Sequence, residues 1–411
     1  MYVGLNDVML ISDRCRKIQP SATLAVAAEV ASLHQEGVEI LRMDAGEPDF
    51  DTPLHIKAAA MDAIQEGKTK YTPVAGTIAL RQAIVKKLEK QNKLTYSCTE
   101  VMASTGAKQA IFNALMATID KGNEVIIPAP YWTSYPEMVN MAEGQPVFLP
   151  TDMSQQYKIT AQQLKDAITP YTKMIILCSP SNPTGACYTE EELQALANVL
   201  VDYPNILILS DDVYEQIVWG EQTFRNIVNV VPTLRDRTIL IHSLSKSYAM
   251  TGWRLGYAAA PEEIIAAMTK IQSQSTSNPC SITQEAGVEA LGKITLESVS
   301  DMVAKYEKRH ELICQRLDAI DGLRFIPAQG AFYLFVDASG LIEKLGLSDD
   351  TALATFFLRE AHVSVVPGVA FGMVGHIRIS FAIGKFYINQ AFDQIEQAIK
   401  RRVEDEASPA E

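Results

Sequence analysis

The segment at positions 238–254 reads TILIHSLSKSYAMTGWR and joins a short apolar run to a cluster of small polar residues. The apolar part, 238–242, predicts a buried strand. Just behind it, Lys246 has Ser243 and Ser245 on its N-terminal side, and Arg254 follows eight residues later. This set suits a lysine that forms an imine while hydroxyls and a guanidinium hold a nearby phosphate. Taken alone the signal is weak, because most lysines are solvated surface groups.

A second motif, SDDVY at 210–214, also follows an apolar run. A carboxylate at Asp211 that is buried at the end of a strand can pair with a protonated ring nitrogen, and such a partner keeps an aromatic cofactor electron-withdrawing. Tyr214 can donate a hydrogen bond to a phenolate on the same ring. In isolation the motif also fits an aspartate that caps a helix or a turn.

Two further motifs follow predicted strands in the same way. SPSNPTG at 179–185 fixes an irregular turn, in which Asn182 can donate its amide to an oxyanion. STGAKQA at 104–110 is a strand-to-helix turn, and the free N–H groups of such a turn suit a phosphate. Either segment also fits an ordinary turn, so the prediction rests on the four motifs together.

The four motifs lie in a region of alternating strand and helix patterns, which is typical of βαβ units around a mostly parallel sheet. The predicted strands are 101–104, 124–127, 146–149, 174–178, 206–209, 238–242 and 255–259, and the predicted helices are 108–119, 135–142, 190–201 and 261–272. Such sheets bind ligands at the carboxyl ends of their strands. All four motifs are therefore predicted to lie at the binding edge.

The C-terminal third predicts a second, smaller α+β domain. A long helical pattern at 296–320 is followed by strand and helix patterns at 331–336, 351–361, 363–366, 376–381 and 389–400. We predict a large domain at 50–295, and a small domain made of 1–49 together with 296–411. The charged tail from Arg402 is expected to be frayed.

The composition indicates a compact protein with a large core, since 47% of its 411 residues are apolar and 21% are charged. The net charge of −13 disfavours nucleic acid as a partner. The six cysteines form no C-x-x-C pair, which argues against a metal site and suits reduced thiols. Because the chain shows no signal-peptide pattern and no apolar run of about 20 residues, we expect a cytoplasmic protein without a membrane span.

The order of the four motifs, with Asp211 and Lys246 separated by 35 residues, resembles the class I aminotransferase family of fold-type I, pyridoxal-phosphate-dependent enzymes. It is most similar to the bacterial aspartate aminotransferase branch, which also contains prephenate aminotransferases. The resemblance covers nearly the whole chain and is visible in PSAT at 20–23, AGEPDF at 45–50, KTKY at 68–71 and Arg378. It implies a large domain with a mostly parallel seven-stranded sheet flanked by helices, a smaller α+β domain, and a homodimer with shared active sites.

The resemblance also implies a set of residues around the cofactor. Lys246 is expected to bind pyridoxal phosphate as an imine, Asp211 to pair with the pyridine nitrogen, and Tyr214 with Asn182 to meet the phenolate oxygen. The other implied cofactor contacts are Gly106, Ala107, Ser243, Ser245 and Arg254 around the phosphate, Lys108 beside them, Trp132 against the ring, and Tyr71 from the partner subunit. Without the family, a core tryptophan is the simpler interpretation of Trp132.

The same resemblance implies how the substrate is held. Arg378 is expected to bind the α-carboxylate, because a guanidinium fork matches a carboxylate, although a strand arginine can also form an internal ion pair. The other implied substrate contacts are Gly46, Trp132 and Asn182 near the reacting carbon, and Lys108, Ser21 and Thr23 toward an acidic side chain. Ser21 also fits a plain helix N-cap. Aspartate and glutamate are the expected substrates, and prephenate, which has a distal carboxylate, remains open.

Two other functions use the same cofactor site. A carbon-sulfur lyase would use the same lysine to drive β-elimination, since the fold does not decide the reaction type. A pyridoxal-phosphate-binding domain of a transcription regulator would need a DNA-binding module, for which the two predicted domains leave no room, and the acidic charge opposes it. The resemblance and Lys108 favour amino transfer, for which we expect ping-pong kinetics.

Overall fold

The computed structural model describes residues 11–20, 22–292 and 295–407. Its helices are α1 (Asp13–Lys17), α2 (Ala22–Gln35), α3 (Leu54–Gln65), α4 (Ile78–Lys87), α5 (Ala107–Thr118), α6 (Tyr135–Met141), α7 (Ala161–Ala167), α8 (Glu190–Val201), α9 (Ile227–Val230), α10 (Glu262–Ser273), α11 (Ser281–Ala290), α12 (Thr295–Asp318), α13 (Ser339–Lys344), α14 (Asp350–Glu360) and α15 (Lys385–Ala407). Its strands are β1 (Leu41–Arg42), β2 (Val101–Ser104), β3 (Glu124–Ala129), β4 (Gln145–Pro150), β5 (Thr172–Cys178), β6 (Leu207–Asp211), β7 (Thr238–Ser243), β8 (Gly256–Ala259), β9 (Arg324–Phe325), β10 (Tyr333–Asp337), β11 (Val363–Ser364), β12 (Val366–Pro367) and β13 (His376–Ser380).

A seven-stranded sheet in the order β2-β8-β7-β6-β5-β3-β4 forms the centre of the larger part of the fold. The strand β8 runs antiparallel to β2 and to β7, and the remaining neighbours are parallel. The predicted mostly parallel, seven-stranded α/β sheet is therefore confirmed. Because β5, β6 and β7 run in one direction, their carboxyl ends lie side by side at one edge of the sheet.

Both faces of this sheet are covered by helices, which is why its strands read as continuous apolar runs. Successive residues of a strand point to opposite faces. In β7, Leu240 packs into a core with residues of α4, α8 and α11. Its neighbours Ile239 and Ile241 pack into a second core with residues of α5, α6 and α10. The strand that leads to Lys246 is thus held rigidly between two helical layers.

A smaller antiparallel sheet in the order β12-β13-β10-β9 lies in the C-terminal third, and β1 pairs in parallel with β11. A third core surrounds this region and includes Met43 from the N-terminal part and Tyr214 from the segment after β6. The division of the chain at residues 50 and 295 remains a prediction. In the described ranges, every helix is too short or too polar to cross a membrane.

Some boundaries differ from the predicted ones. The strands β6 and β7 extend to Asp211 and Ser243, so these two residues end their strands instead of following them. The predicted strand at 363–366 is two short strands, β11 and β12, with different partners. The expectation of a frayed tail from Arg402 is wrong up to Ala407, because α15 continues to that residue. The last core contacts of α15 are Ala398 and Ile399, and residues 401–405 continue the helix as an exposed turn.

Candidate active site

The described residues form a cleft of about 400 Å³ at the carboxyl ends of β5, β6 and β7. This size lies within the range of roughly 300–1,000 Å³ that is typical of small-molecule sites. The predicted site residues that line it are Gly46, Ala107, Lys108, Trp132, Asn182, Asp211, Tyr214, Ser243, Ser245, Lys246, Arg254 and Arg378. The sheet edge thus brings together groups that are spread over more than 300 positions of the sequence.

Lys246 lies in the loop behind β7 with its amine turned into the cleft. Its Nζ donates a hydrogen bond to the carbonyl oxygen of Gly46 and lies 6.0 Å from the ring centre of Phe332. Burial lowers the pKa of Lys246 to about 8, and the nearby charges of Arg378 and Arg254 act in the same direction, while Glu47 opposes them. A larger fraction of this amine is therefore neutral and nucleophilic than for an exposed lysine.

Asp211 ends β6 as a buried carboxylate at the base of the cleft. Its Oδ2 accepts a hydrogen bond from the hydroxyl of Tyr135, and its Oδ1 accepts one of 3.4 Å from the N–H of Val213. Burial raises the pKa of Asp211 to about 6, against the hydrogen bond from Tyr135, which lowers it. Because its hydrogen bonds do not offset the cost of burying its charge, this carboxylate favours a cationic neighbour.

Sequence reasoning missed Tyr135, which is fully buried and begins α6. It lies three residues after Trp132, and the two rings meet edge to face with centres 5.3 Å apart. The three aromatic residues of YWTSY at 131–135, which begins two positions after the end of β3, are the signal that indicates a second functional ring there. The partner carboxylate of Tyr135, in contrast, lies 76 residues away.

The N-terminus of α5 forms a polar corner with the loop behind β7. Gly106 has a φ of 80°, and a Cβ at this position would lie against the guanidinium of Arg254. Ser243 and Ser245 are buried beside it, and the Ser243 hydroxyl accepts a hydrogen bond of 3.1 Å from the N–H of Ser245. Free N–H groups at a helix start, two hydroxyls and an arginine together suit a phosphate.

Arg378, on β13, is buried in the cleft wall with only 3% of its surface exposed. Its Nη1 donates to Asn182 Oδ1 at 3.0 Å and its Nη2 to the carbonyl oxygen of Asp44 at 2.7 Å. Its Nε has no hydrogen-bond partner, and no ion pair to a carboxylate is present in the part of the chain that the structure describes. A buried guanidinium in this state provides a prepared site for an anion.

Asn182 and Tyr214 meet Arg378 and Tyr333 at the same wall. Because Asn182 uses its oxygen for Arg378, its amide NH₂ remains as the donor on that side chain. The hydroxyl of Tyr214 lies 2.9 Å from that of Tyr333. Tyr333 lines the cleft as well, and it is a second residue that the sequence did not indicate.

Lys108 and Trp132 form the outer wall of the cleft. The amine of Lys108 lies 5.0 Å from the ring centre of Trp132, a cation–π distance. Partial burial, with repulsion from Arg254 as the second cause, lowers the pKa of Lys108. A desolvated cation here favours an acidic ligand group.

Of the other four predicted residues, the two that the structure describes in full do not line the cleft of the single chain. Gly106 stands behind Ala107 against Arg254, as described above. Tyr71 is 92% exposed and is therefore not part of a buried site in its own chain. Ser21 lies outside the described residues, and so does the side chain of Thr23, although its backbone belongs to α2.

Comparisons with known proteins agree with this geometry. The chain is 47% identical to the aspartate/prephenate aminotransferase of Nitrosomonas europaea, with 96% of this chain and 98% of the relative covered. It is 43% identical to an aspartate aminotransferase of Bacillus sp. (strain YM-2), with 95% and 99% covered.

Solved structures give the same result for the fold. The aspartate aminotransferase of Rhizobium meliloti matches with a TM-score of 0.91 at 42% identity, covering 95% of this chain and 99% of that one. The Thermus thermophilus aspartate aminotransferase with maleate matches with 0.89 at 38% identity, covering 94% and 99%. The predicted fold type I architecture is confirmed. Because residues 38–395 also match the model of the family named aminotransferase class I and II, this chain belongs to that family and is a transaminase.

Proposed function

We propose that this transaminase binds pyridoxal phosphate in the cleft and moves the amino group between aspartate or glutamate and a 2-oxo acid such as 2-oxoglutarate. One observation carries the proposal: the amine of Lys246, the buried carboxylate of Asp211 and the guanidinium of Arg378 converge on the same cleft. The names of the relatives, aspartate aminotransferase and aspartate/prephenate aminotransferase, support the substrate class.

The residues present fit this cofactor at both of its ends. The corner at Gly106, Ser243, Ser245 and Arg254 offers donors and positive charge for a phosphate, and only a glycine at 106 leaves room for Arg254. At the other end, Asp211 lacks a strong partner on Oδ1. A pyridinium N–H placed there would supply that partner, lower the pKa of Asp211 below about 6 and keep the carboxylate ionised at neutral pH.

Bound in this way, pyridoxal phosphate supplies an aldehyde carbon that reacts with amines and a ring that withdraws electrons. Lys246 contributes a buried amine whose lowered pKa, about 8, makes it reactive toward such a carbon. With cofactor and substrate bound, the Nζ of Lys246 would be the base that takes the substrate α-proton and the acid that gives a proton to the adjoining cofactor carbon. Because the first product, a 2-oxo acid, leaves before the second substrate binds, ping-pong kinetics are expected.

The remaining residues hold the substrate and the ring oxygen. Arg378 binds the α-carboxylate, since its guanidinium lines the cleft and each Nη keeps a second N–H beyond its bond to Asn182 or to Asp44. Asn182 and Tyr214 donate to the ring oxygen through an amide and a hydroxyl that face the cleft. Lys108, beside Trp132, attracts the side-chain carboxylate of aspartate or glutamate.

Prephenate is a second candidate substrate. It carries a distal carboxylate that Lys108 can bind in the same way, and the relative from Nitrosomonas europaea is named an aspartate/prephenate aminotransferase. The contacts at Arg378 are the same for both substrates, because both present an α-carboxylate. The discrimination therefore depends on the outer wall of the cleft.

The proposal includes a homodimer in the cytoplasm. Tyr71 is 92% exposed, and the apolar side chains Leu54, Met61, Ile64 and Ile78 are each more than half exposed on α3 and α4. A second copy that covers this surface would remove apolar area from water and bring Tyr71 to a neighbouring site. All six cysteines are free thiols, which suits a reducing compartment.

A single-turnover titration tests the proposal. The cofactor-loaded protein is mixed with aspartate, glutamate, phenylalanine or a prephenate-plus-glutamate pair, and the cofactor absorbance is followed. Aspartate and glutamate should convert the band, and a 2-oxo acid should restore it, while Lys246→Ala serves as the control without the band. Absence of the band in the wild-type protein contradicts the assignment of Lys246, and release of ammonia without restoration indicates a lyase.

A further inference from the structure

Tyr333 stands between two groups of the proposed site. It is the first residue of β10, only 1% of its surface is exposed, and it pairs across the sheet with Ser380 of β13, two positions from Arg378. The guanidinium carbon of Arg378 lies 4.4 Å from the centre of its ring. Its hydroxyl lies 2.9 Å from that of Tyr214. One side chain thus contacts a group that faces the substrate carboxylate and a group that faces the cofactor ring.

The contact between the Tyr214 and Tyr333 hydroxyls determines which of the two donates the hydrogen bond once a ligand is bound. Each phenol has one proton to donate, and the Tyr214–Tyr333 contact is compatible with either direction. When Tyr214 donates to a ring oxygen in the cleft, its proton is used, so Tyr333 must be the donor of the pair. A hydroxyl that accepts a hydrogen bond becomes a stronger donor itself, because a chain of hydrogen bonds polarises its members.

The ring of Tyr333 acts on the other side. It covers one side of the Arg378 guanidinium, and Phe371 lies 5.1 Å away as a second aromatic contact. Together with Asn182 and the Asp44 carbonyl, these rings fix the plane of the guanidinium. A cation that is buried against aromatic faces is also stabilised by their quadrupoles.

From this geometry we infer that Tyr333 is a positioning residue with two separable roles. Its hydroxyl directs the proton of Tyr214 toward the ring oxygen of the cofactor, and its ring orients Arg378 for the substrate carboxylate. The inference rests on the proposed function, because both neighbours act there on cofactor and substrate.

The hydroxyl is tested with Tyr333→Phe, which keeps the ring. The readout is the pH at which the absorbance of the bound cofactor is halfway between its acidic and its alkaline form. Loss of the donor to Tyr214 leaves more negative charge on the ring oxygen, so the midpoint should rise by about half a pH unit. The matched control is Tyr306→Phe, because the Tyr306 hydroxyl is buried in the same aromatic cluster without a hydrogen-bond partner in the described residues. A midpoint in Tyr333→Phe that equals that of the control overturns the hydroxyl role.

The ring is tested with Tyr333→Leu, which removes the aromatic face. The readout is the dissociation constant of succinate, a dicarboxylate without an amino group, measured on the loaded enzyme without turnover. Succinate should bind about tenfold more weakly to Tyr333→Leu, whereas Tyr333→Phe should stay within about threefold of the wild type. Equal weakening in both variants, or in neither, overturns the ring role. If the wild-type protein shows no cofactor band, the proposed function fails first, which separates that outcome from a failure of this inference.

Discussion

The buried ion pair between Lys87 and Glu215 leads to a prediction about stability. Lys87, at the end of α4, donates a hydrogen bond through Nζ to Glu215 and another of 2.7 Å to Asn92 Oδ1. The side chains of Lys87 and Glu215 are 1% and 9% exposed. Burial alone would raise the pKa of Glu215, but Lys87 and His242 outweigh burial and hold that pKa far below its ordinary value. The perturbation is Lys87→Met, which keeps most of the volume and removes the charge.

The expected loss in the free energy of unfolding comes from the Glu215 carboxylate, which stays buried without Lys87. Removal of one partner of a buried pair typically costs about 3–5 kcal/mol, because the remaining charge has no counterion. Here Glu215 keeps a hydrogen bond of 2.5 Å from Asn92 Nδ2, and His242 Nδ1 lies 3.3 Å away. We therefore expect the lower part of that range, about 3 kcal/mol at pH 8, in the free energy of unfolding.

The pH dependence gives a second readout. Burial lowers the pKa of His242, and the charge of Lys87 adds to this effect while Glu215 opposes it. Without Lys87, His242 can bind a proton more readily and pair with Glu215. Because the folded-state pKa of His242 is then higher in the variant than in the wild type, the variant loses less stability than the wild type as the pH falls through this range. The deficit of Lys87→Met should thus be smaller at pH 6 than at pH 8.

The assay is urea unfolding at a fixed protein concentration, so that subunit association does not shift the comparison. The double variant Lys87→Met with Glu215→Gln removes both charges and should recover at least half of the loss. A Lys87→Met protein within about 0.5 kcal/mol of the wild type at pH 8 would refute the reasoning. A loss that the double variant does not reduce would refute it as well, because the cost would then not come from the unpaired carboxylate.

Three further predictions concern the cleft. Tyr135→Phe removes a hydrogen bond to the Asp211 carboxylate, and a hydrogen bond to a charged group contributes about 1.5–3 kcal/mol. Titration of the apoprotein should therefore show cofactor binding weakened by about tenfold. An unchanged affinity contradicts a role of Tyr135 in holding Asp211. Lys108→Met should raise the KM for aspartate by about tenfold and leave the KM for alanine unchanged, because only aspartate has a second carboxylate for this amine. Equal changes in KM for both amino acids would show that Lys108 does not select the side chain. When the apoprotein is mixed with the cofactor, the rate at which the absorbance band of the bound cofactor appears should rise with pH through about 8. The reason is that the amine of Lys246 is neutral above its pKa. A rate that is constant between pH 7 and pH 9 would contradict the lowered pKa.

The placement of the main site residues could be predicted from local patterns. Asn182, Asp211 and Lys246 each stand at or just behind the end of an apolar strand, and the strands β5, β6 and β7 run parallel. Parallel strands bring their carboxyl ends to one edge, so the three side chains meet there although 64 positions separate the first from the last. The prediction needs only the direction of the chain and the period of its apolar residues.

Hydrogen-bond partners and pKa values in the cleft depend on packing between distant segments, which local patterns do not describe. The hydrogen bond from Tyr135 to Asp211 spans 76 residues and that between Tyr214 and Tyr333 spans 119. The position of α15 depends on side chains such as Ile395 that pack into a core with strands far upstream. The pKa of Asp211 and that of Lys246 are shifted mainly by burial, which no single segment defines. The sequence by itself thus determined that Asn182, Asp211 and Lys246 meet at one sheet edge, since each stands at or just behind the end of an apolar strand. The tertiary structure added Tyr135 and Tyr333 to the cleft and decided the partners and protonation of all these groups, since these depend on the atoms that surround each group from every side.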